Sequence, residues 1–333
     1  GIPLQYAGKQ GAPLSPDSAY PEADSVPAEG NGRDFMFPHT LPTDQAAAAR
    51  SFPDFPWMDE TTLALALEGL RQLNLGRGPA PDLLAISLSA TDAIGHRYGP
   101  DSRELHDQVI RLDRMLGTFL DSLFQARDSS RVLIALTADH GVQSFPQLYT
   151  ARTGEPAFRV DLTDITGQFY RALVARGVDS AAFAFEDGIL WMDRGAFGRA
   201  GVKADSVIDA FANRARAVSG VWKTHRRSQI APRDTVRDVV VRRWYHALPP
   251  DAPFELVVTL RPGSVWTNLP FAMHGTPHDE DAKVPIIFYG APFKPGRYTE
   301  AARVVDMAPT LALVLGVQSG EPLDGHVLRA ILR

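Results

Sequence analysis

The stretch Pro-Asp-Leu-Leu-Ala-Ile-Ser-Leu-Ser-Ala-Thr-Asp-Ala-Ile-Gly-His, residues 81–96, decides how the chain is read. Its first half, Leu83 to Leu88, is a short apolar run suited to a buried strand. Its second half places Asp92 and His96 in Asp-x-x-x-His, just past that strand's carboxyl end. Before it, Leu63, Leu67, Leu70 and Leu73 repeat at helical spacing, and Gly76 and Gly78 end the pattern. After it, Asp101 and Glu104 have capping-box spacing, and Leu105, Val109, Leu112, Leu116, Leu120 and Leu123 form a long amphipathic face. A second apolar run, Arg131–Thr137, leads straight into Ala138-Asp139-His140-Gly141. Helix–strand–helix–strand order predicts a doubly wound, mostly parallel α/β sheet with helices on both faces.

The flanks are of different texture. Residues 1–58 are predicted to be a proline-rich connecting segment, with nine prolines from Pro3 to Pro56 and with Phe52, Phe55 and Trp57 packing beneath it. Residues 59–150 read as the first part of a catalytic α/β core, 151–250 as an inserted cap domain, and 251–333 as the second part of the core. Within the cap, Leu162, Ile165, Phe169 and Leu173 mark a helix, Gly188–Met192 a strand and Val207–Val218 another helix. The basic residues from Lys223 to Arg243 are expected to form a solvated face. Beyond the cap, Leu256–Leu260 and Val284–Tyr289 read as core strands, and a final helix starts near Asp306 with Pro309 in its first turn.

Composition narrows the function classes. The 333 residues are 44% hydrophobic and 22% charged, which is globular. Lys+Arg 34 against Asp+Glu 39 gives a net charge of −5, which argues against a nucleic-acid partner. Cys 0 excludes disulfides, thiolate metal sites and cysteine nucleophiles within these residues. No apolar run approaches a membrane span.

Carboxylate–imidazole pairs carry the chemistry. Asp92 and His96, then Asp139 and His140, each follow a strand, and His274 and His278 precede another in Met-His-Gly-Thr-Pro-His. Open parallel sheets bind ligands beyond the carboxyl ends of their strands. Carboxylate oxygen with imidazole nitrogen suits zinc and similar divalent ions, and a catalytic zinc takes about three protein ligands. Gly95, Gly141 and Gly275 each neighbour a candidate ligand and permit tight turns. The remaining histidines, His39, His106, His225, His246 and His326, have no partner pattern and are assigned to packing or surface.

At residues 81–102, 111–114, 136–142, 274–290 and 305–311 the chain resembles the alkaline phosphatase superfamily. It is similar to the branch of nucleotide pyrophosphatase/phosphodiesterases and single-chain periplasmic alkaline phosphatases. The resemblance implies two zinc ions. Asp92, His96 and His274 match the ligands of one; Asp139 and His140 match two ligands of the other. His278 is expected to orient a ligand. The family's remaining second-site ligand and its Thr or Ser nucleophile lie on an N-terminal strand–helix unit that these residues lack. Together with the Gly1 start, this leads to the expectation of a C-terminal portion of a longer enzyme, its N-terminal part a partner. The implied function is a zinc-dependent phosphomonoesterase acting through a phosphoenzyme on small phosphate esters, periplasmic or secreted after signal removal. A phosphodiesterase or nucleotide pyrophosphatase is the alternative within the superfamily, and a non-catalytic metal-binding fragment the alternative of another class.

Overall fold

The computed structural model describes residues 5–231, 237–266 and 271–333. The proline-rich opening lacks the N–H donors that regular structure needs and forms little of it. Two-residue strands β1 (Gln10–Gly11) and β2 (His39–Thr40) pair antiparallel, and Asp44 caps a short helix α1 (Gln45–Ser51). Beneath them lies a small core of Leu41, Ala48, Phe52, Phe55 and Trp57, so the aromatic residues among the prolines pack as expected.

Three helices follow: α2 (Trp57–Gln72), α3 (Ala90–Tyr98) and α4 (Arg103–Ala126). Leu63 and Ala66 of α2 pack on Phe119 of α4, with Met115, Leu116, Leu120 and Leu123 around them. The cap of α4 is Ser102, whose hydroxyl accepts from Leu105 N at 3.1 Å, and not Asp101. Asp101 is turned instead to the Ser144 hydroxyl and Arg152, and Glu104 to His39, so the predicted capping box does not form.

The run Leu83–Leu88 is extended but enters no ladder, and Leu83 is 83% exposed. Among the described residues it pairs with no strand, although Ile86 and Leu88 pack against the core between α2 and α4. The second expected core strand is β3 (Ile134–Thr137), after which comes helix α5 (Pro146–Thr153). The two-residue β4 (Arg159–Val160) leads into α6 (Thr163–Val174).

The hairpin of β5 (Phe183–Glu186) and β6 (Ile189–Met192) turns at Asp187 and Gly188, with φ of 48° and 81°. Left-handed backbone at both turn residues matches the twist of the strands they join. Helices α7 (Arg194–Arg199) and α8 (Ala204–Arg216), strand β7 (Val221–Arg226), helix α9 (Val239–Ala247) and strand β8 (Phe254–Leu260) complete this part. The antiparallel sheet runs β5-β6-β8-β7. Thus β8 is a central strand of the sheet that also holds β5, β6 and β7, buried along its whole length. One face packs Leu190, Phe197, Ile208, Phe211, Leu256 and Leu260; the other packs Val257 against Trp244 and Val240 of α9.

The chain returns through β9 (Val265–Trp266), which pairs parallel with β4, and a short helix α10 (Asp279–Ala282). Strand β10 (Ile286–Tyr289) and helix α11 (Met307–Leu315) follow. Strand β10 pairs antiparallel with β3, from Ile286 opposite Thr137 to Tyr289 opposite Ile134. The fold is mixed α/β, with antiparallel pairing more frequent among the described residues than a parallel sheet would give. Apolar runs carry no mark of strand direction, which is why the periodicity overstated the parallel part. Within the basic stretch, Lys223, Arg226 and Arg243 pair with Asp238, Asp205 and Asp279; its residues 232–236 lie outside the described residues.

Candidate metal centre

Two segments of the core deliver most of the candidate ligands, and each is anchored by buried hydrogen bonds. Helix α3 carries Asp92 and His96 one turn apart, on one face. Its first turn is held by Asp59 of α2, fully buried, whose carboxylate accepts from Ala90 N at 3.1 Å and from Gln108 Nε2 at 2.9 Å. His96 Nδ1 lies 2.6 Å from the Ala272 carbonyl, and Ala272 N donates to His96 O at 2.9 Å. That pairing turns His96 Nε2 toward Asp92 Oδ1, 3.4 Å away. A backbone carbonyl on Nδ1 is how a metal-binding imidazole is commonly oriented.

Asp139, His140 and Gly141 follow the end of β3, with a bend at Asp139. His140 Nδ1 meets the Gly141 carbonyl at 2.8 Å, leaving Nε2 free. Nε2 lies 3.6 Å from Asp139 Oδ2 and 3.9 Å from Asp92 Oδ1. Gly141 is required by packing, because a Cβ there would sit 1.9 Å from the Glu280 carbonyl oxygen.

His274 arrives from the loop before α10. Its Nε2 is 3.7 Å from Asp92 Oδ1, and its ring stacks on His140 with centroids 3.5 Å apart and planes 20° apart. Burial lowers the His274 pKa, and the nearby His140 and His96 lower it further against the opposing pull of Asp92 and Asp281. A lowered pKa keeps this imidazole neutral at physiological pH, the state that can bind a metal. The ligand atoms of Asp92, His96 and His274 all fall within 4.8 Å of one another.

The structure therefore brings Asp92, His96, Asp139, His140 and His274 to one place, around the Asp92 carboxylate. His278 stands apart. Its Nε2 meets the Leu260 carbonyl at 2.8 Å and its ring faces Trp222, so it ties the His274 loop to β8 and touches none of the five. The donor set fits zinc. Nitrogen and oxygen donors about 2.0–2.1 Å from a tetrahedral ion stand about 3.4 Å apart, close to the Asp92–His96 and Asp92–His274 separations.

Sequence reasoning passed over Asp281, the third acid of Asp279-Glu280-Asp281 and 4% exposed. Its Oδ2 accepts from Thr276 N and from Thr276 Oγ1, both at 2.7 Å, and its Oδ1 from Gln143 Nε2 at 3.1 Å. Burial pushes its carboxyl pKa up, against those hydrogen bonds. No local pattern marks it, since Gln143 is 138 residues away. It also passed over Asp59, whose two partners are likewise distant in sequence.

Residues 26–253 match the model of the type I phosphodiesterase / nucleotide pyrophosphatase family. The chain belongs to that family. The match covers Asp92, His96, Asp139 and His140 and stops short of His274. Alkaline phosphatase PhoD of Zymomonas mobilis is 29% identical over 331 residues, which span 95% of this chain and 56% of that protein. Alkaline phosphatase PhoV of Synechococcus elongatus is 26% identical over 346 residues, 100% of this chain and 60% of that protein. The crystal structure of alkaline phosphatase PafA superposes with a TM-score of 0.86 at 22% identity, covering 100% of this chain and 64% of that one. The fold is that of the alkaline phosphatases, as the sequence motifs implied. The chain spans somewhat more than half the length of these curated relatives.

Proposed function

We propose that this chain forms the metal-binding half of a zinc-dependent phosphoric ester hydrolase, a phosphomonoesterase of the alkaline phosphatase kind. The observation that carries the reading is the convergence of the Nε2 atoms of His96, His140 and His274 within 3.9 Å of Asp92 Oδ1. Asp92, His96 and His274 are assigned to one zinc, and Asp139 and His140 to a second. Two such ions, when bound, supply Lewis-acid stabilisation to the attacking and leaving oxygens of an in-line displacement. Asp92 and Asp139 bring two negative charges to the two dications and metal-bound imidazoles bring none, so the centre keeps a net positive charge for substrate phosphate. The Nδ1 bonds to Ala272 and Gly141 fix His96 and His140 before any substrate arrives, so no reorientation is needed during the reaction.

The nucleophilic Thr or Ser and the rest of the second ligand set are proposed to come from polypeptide outside these residues. Among the described residues no Ser or Thr hydroxyl hydrogen-bonds to any of the five. Leu83, Ile287 at 54% and Tyr289 at 48% are exposed apolar groups, which a neighbouring segment would cover. The boundaries of the proposed cap then fall near residues 151 and 266, since β8 and β9 pair within it. A periplasmic or secreted location is part of the proposal; among the described residues no helix is long and apolar enough to cross a membrane.

Phosphodiester hydrolysis is the second reading, favoured by the description of the matched family. Turnover of a phosphate monoester and of its methyl diester by the enzyme that includes the nucleophile separates the two. Faster monoester turnover, lost in His274→Ala, supports the first reading. Diester preference selects the second, and turnover unaffected by His274→Ala or by chelation contradicts both.

A further inference from the structure

We propose that Asp281 is a positioning residue that locks the Asp139–His140 loop and the His274 loop into metal-binding register. The inference rests on the metal centre proposed above. The two loops meet only side by side, and His140 and His274 touch as stacked rings, a contact with little directional preference. What fixes their offset is a ladder just behind the rings. Gln143 N donates to Met273 O at 2.8 Å, and Gly141 N donates to Asp281 O at 2.8 Å. The Asp281 side chain closes that ladder. One carboxylate oxygen gathers Thr276 N and Oγ1, shaping the turn two residues after His274; the other takes Gln143 Nε2, three residues after His140.

Two features separate this role from an ordinary helix-start carboxylate. A carboxylate serving α10 alone would end at Thr276, whereas this one also crosses to a different part of the core. All of the polar side chains involved are buried: Gln143 at 0%, Asp281 at 4% and Thr276 at 8% exposure. Water therefore cannot substitute for a lost partner. Asp281 itself is absent from the cluster of ligand atoms around Asp92, so it acts through the ligands and not as one.

The amide of Gln143 makes the test selective, because its Oε1 has no hydrogen-bond partner. In Asp281→Asn, the new amide oxygen can keep the Thr276 bonds. Its NH2 can donate to Oε1 of a flipped Gln143, so both connections survive. In Asp281→Ala both are lost. Zinc affinity is measured by competition with a chromophoric chelator, and site geometry by the visible absorption of the Co2+-loaded chain, on the parent, Asp281→Ala, Asp281→Asn and Asp92→Ala. Asp281→Ala is expected to bind zinc about 10–100-fold more weakly, the usual effect of removing a partner that orients ligands, with an altered Co2+ spectrum. Asp281→Asn is expected to restore both readouts to near the parent. Parent-like affinity and spectrum in Asp281→Ala, with Asp92→Ala impaired, overturn the positioning role alone, as does an Asp281→Asn as weak as Asp281→Ala. A parent that takes up no zinc, or an Asp92→Ala that titrates like the parent, removes the metal centre and this inference with it. If Asp281→Ala does not fold, Gln143→Leu decides, since it cuts the cross-loop bonds of the Gln143 amide, to Asp281 at 3.1 Å and to Thr276 Oγ1 at 3.4 Å, and leaves the Asp281–Thr276 bonds in place: weakened zinc binding supports the role and unchanged binding overturns it.

Discussion

Adding one methyl group at Gly141 should damage both stability and metal binding. The Cβ of Gly141→Ala would lie 1.9 Å from Glu280 O, while ordinary van der Waals contact starts at 3.4 Å, so the two segments must part by 1.5 Å (3.4 minus 1.9). That movement breaks the 2.8 Å bond from Gly141 N to Asp281 O. A lost bond that leaves partly buried groups unpaired costs about 1–3 kcal/mol, and overpacking about as much again, so destabilisation of about 2–6 kcal/mol is expected. His140 is the adjacent residue and must move with the loop, out of its stack on His274. Zinc affinity should therefore fall at least about tenfold, the lower end of what outer partners of a metal site contribute. Urea denaturation measures the first effect and chelator competition the second. A Gly141→Ala chain with the parent's denaturation midpoint and the parent's zinc affinity would refute the close approach of these two segments.

Three other perturbations test separate parts of the structure. Burial, with the neighbouring carboxylates of Glu104, Asp24 and Asp101, pushes Glu29 up to about 9. The native state then holds a proton that the unfolded chain has released, so between roughly pH 4.5 and 9 this group makes stability fall as pH rises. Glu29→Gln should flatten that fall and stabilise the protein at pH 8 by about 1–3 kcal/mol; parallel stability–pH curves for the two proteins would contradict it. Asp59→Ala leaves Ala90 N and Gln108 Nε2 without their acceptor, at a cost of about 2–4 kcal/mol, and loosens the first turn of α3. Its zinc affinity should fall as well, and a change in stability alone would separate Asp59 from the site. Phe211→Ala empties a fully buried position among Phe169, Phe183 and Phe185 and should cost about 3–5 kcal/mol while zinc affinity stays at the parent's value. Loss of zinc binding in that variant would show that the cluster around Phe211 and the metal centre are not energetically separate.

Much of the site was readable because its ligands sit in short, local patterns. Asp92 and His96 are one helical turn apart, Asp139 and His140 are neighbours, and each pair follows an apolar run. Two helices were readable for the same reason: α6 packs Ile165, Phe169 and Leu173 against the core, and α8 buries Val207, Ile208 and Phe211. What local spacing cannot express is partnership. The run Leu256–Leu260 looks like any buried strand, and only its pairing places it between β6 and β7. Leu83–Leu88 has the composition of a strand yet pairs with none among the described residues. Asp281 resembles its two acidic neighbours in sequence, and its hydrogen bond to Gln143 sets it apart. His278 looked like a candidate to steer a ligand, but a carbonyl of β8 lies within its reach and takes it. Asp101 lost the role of helix cap to Ser102 for a similar reason, a distant hydroxyl and an arginine competing for its carboxylate.

Zinc content after exhaustive dialysis against metal-free buffer tests the central claim most directly. Elemental analysis of the parent and of Asp92→Ala, run side by side, should find zinc retained by the parent and largely missing from the variant, because the Asp92 Oδ1 atom is within 3.9 Å of His96, His140 and His274 alike. A parent chain without zinc, or an Asp92→Ala chain holding as much as the parent, would contradict the account.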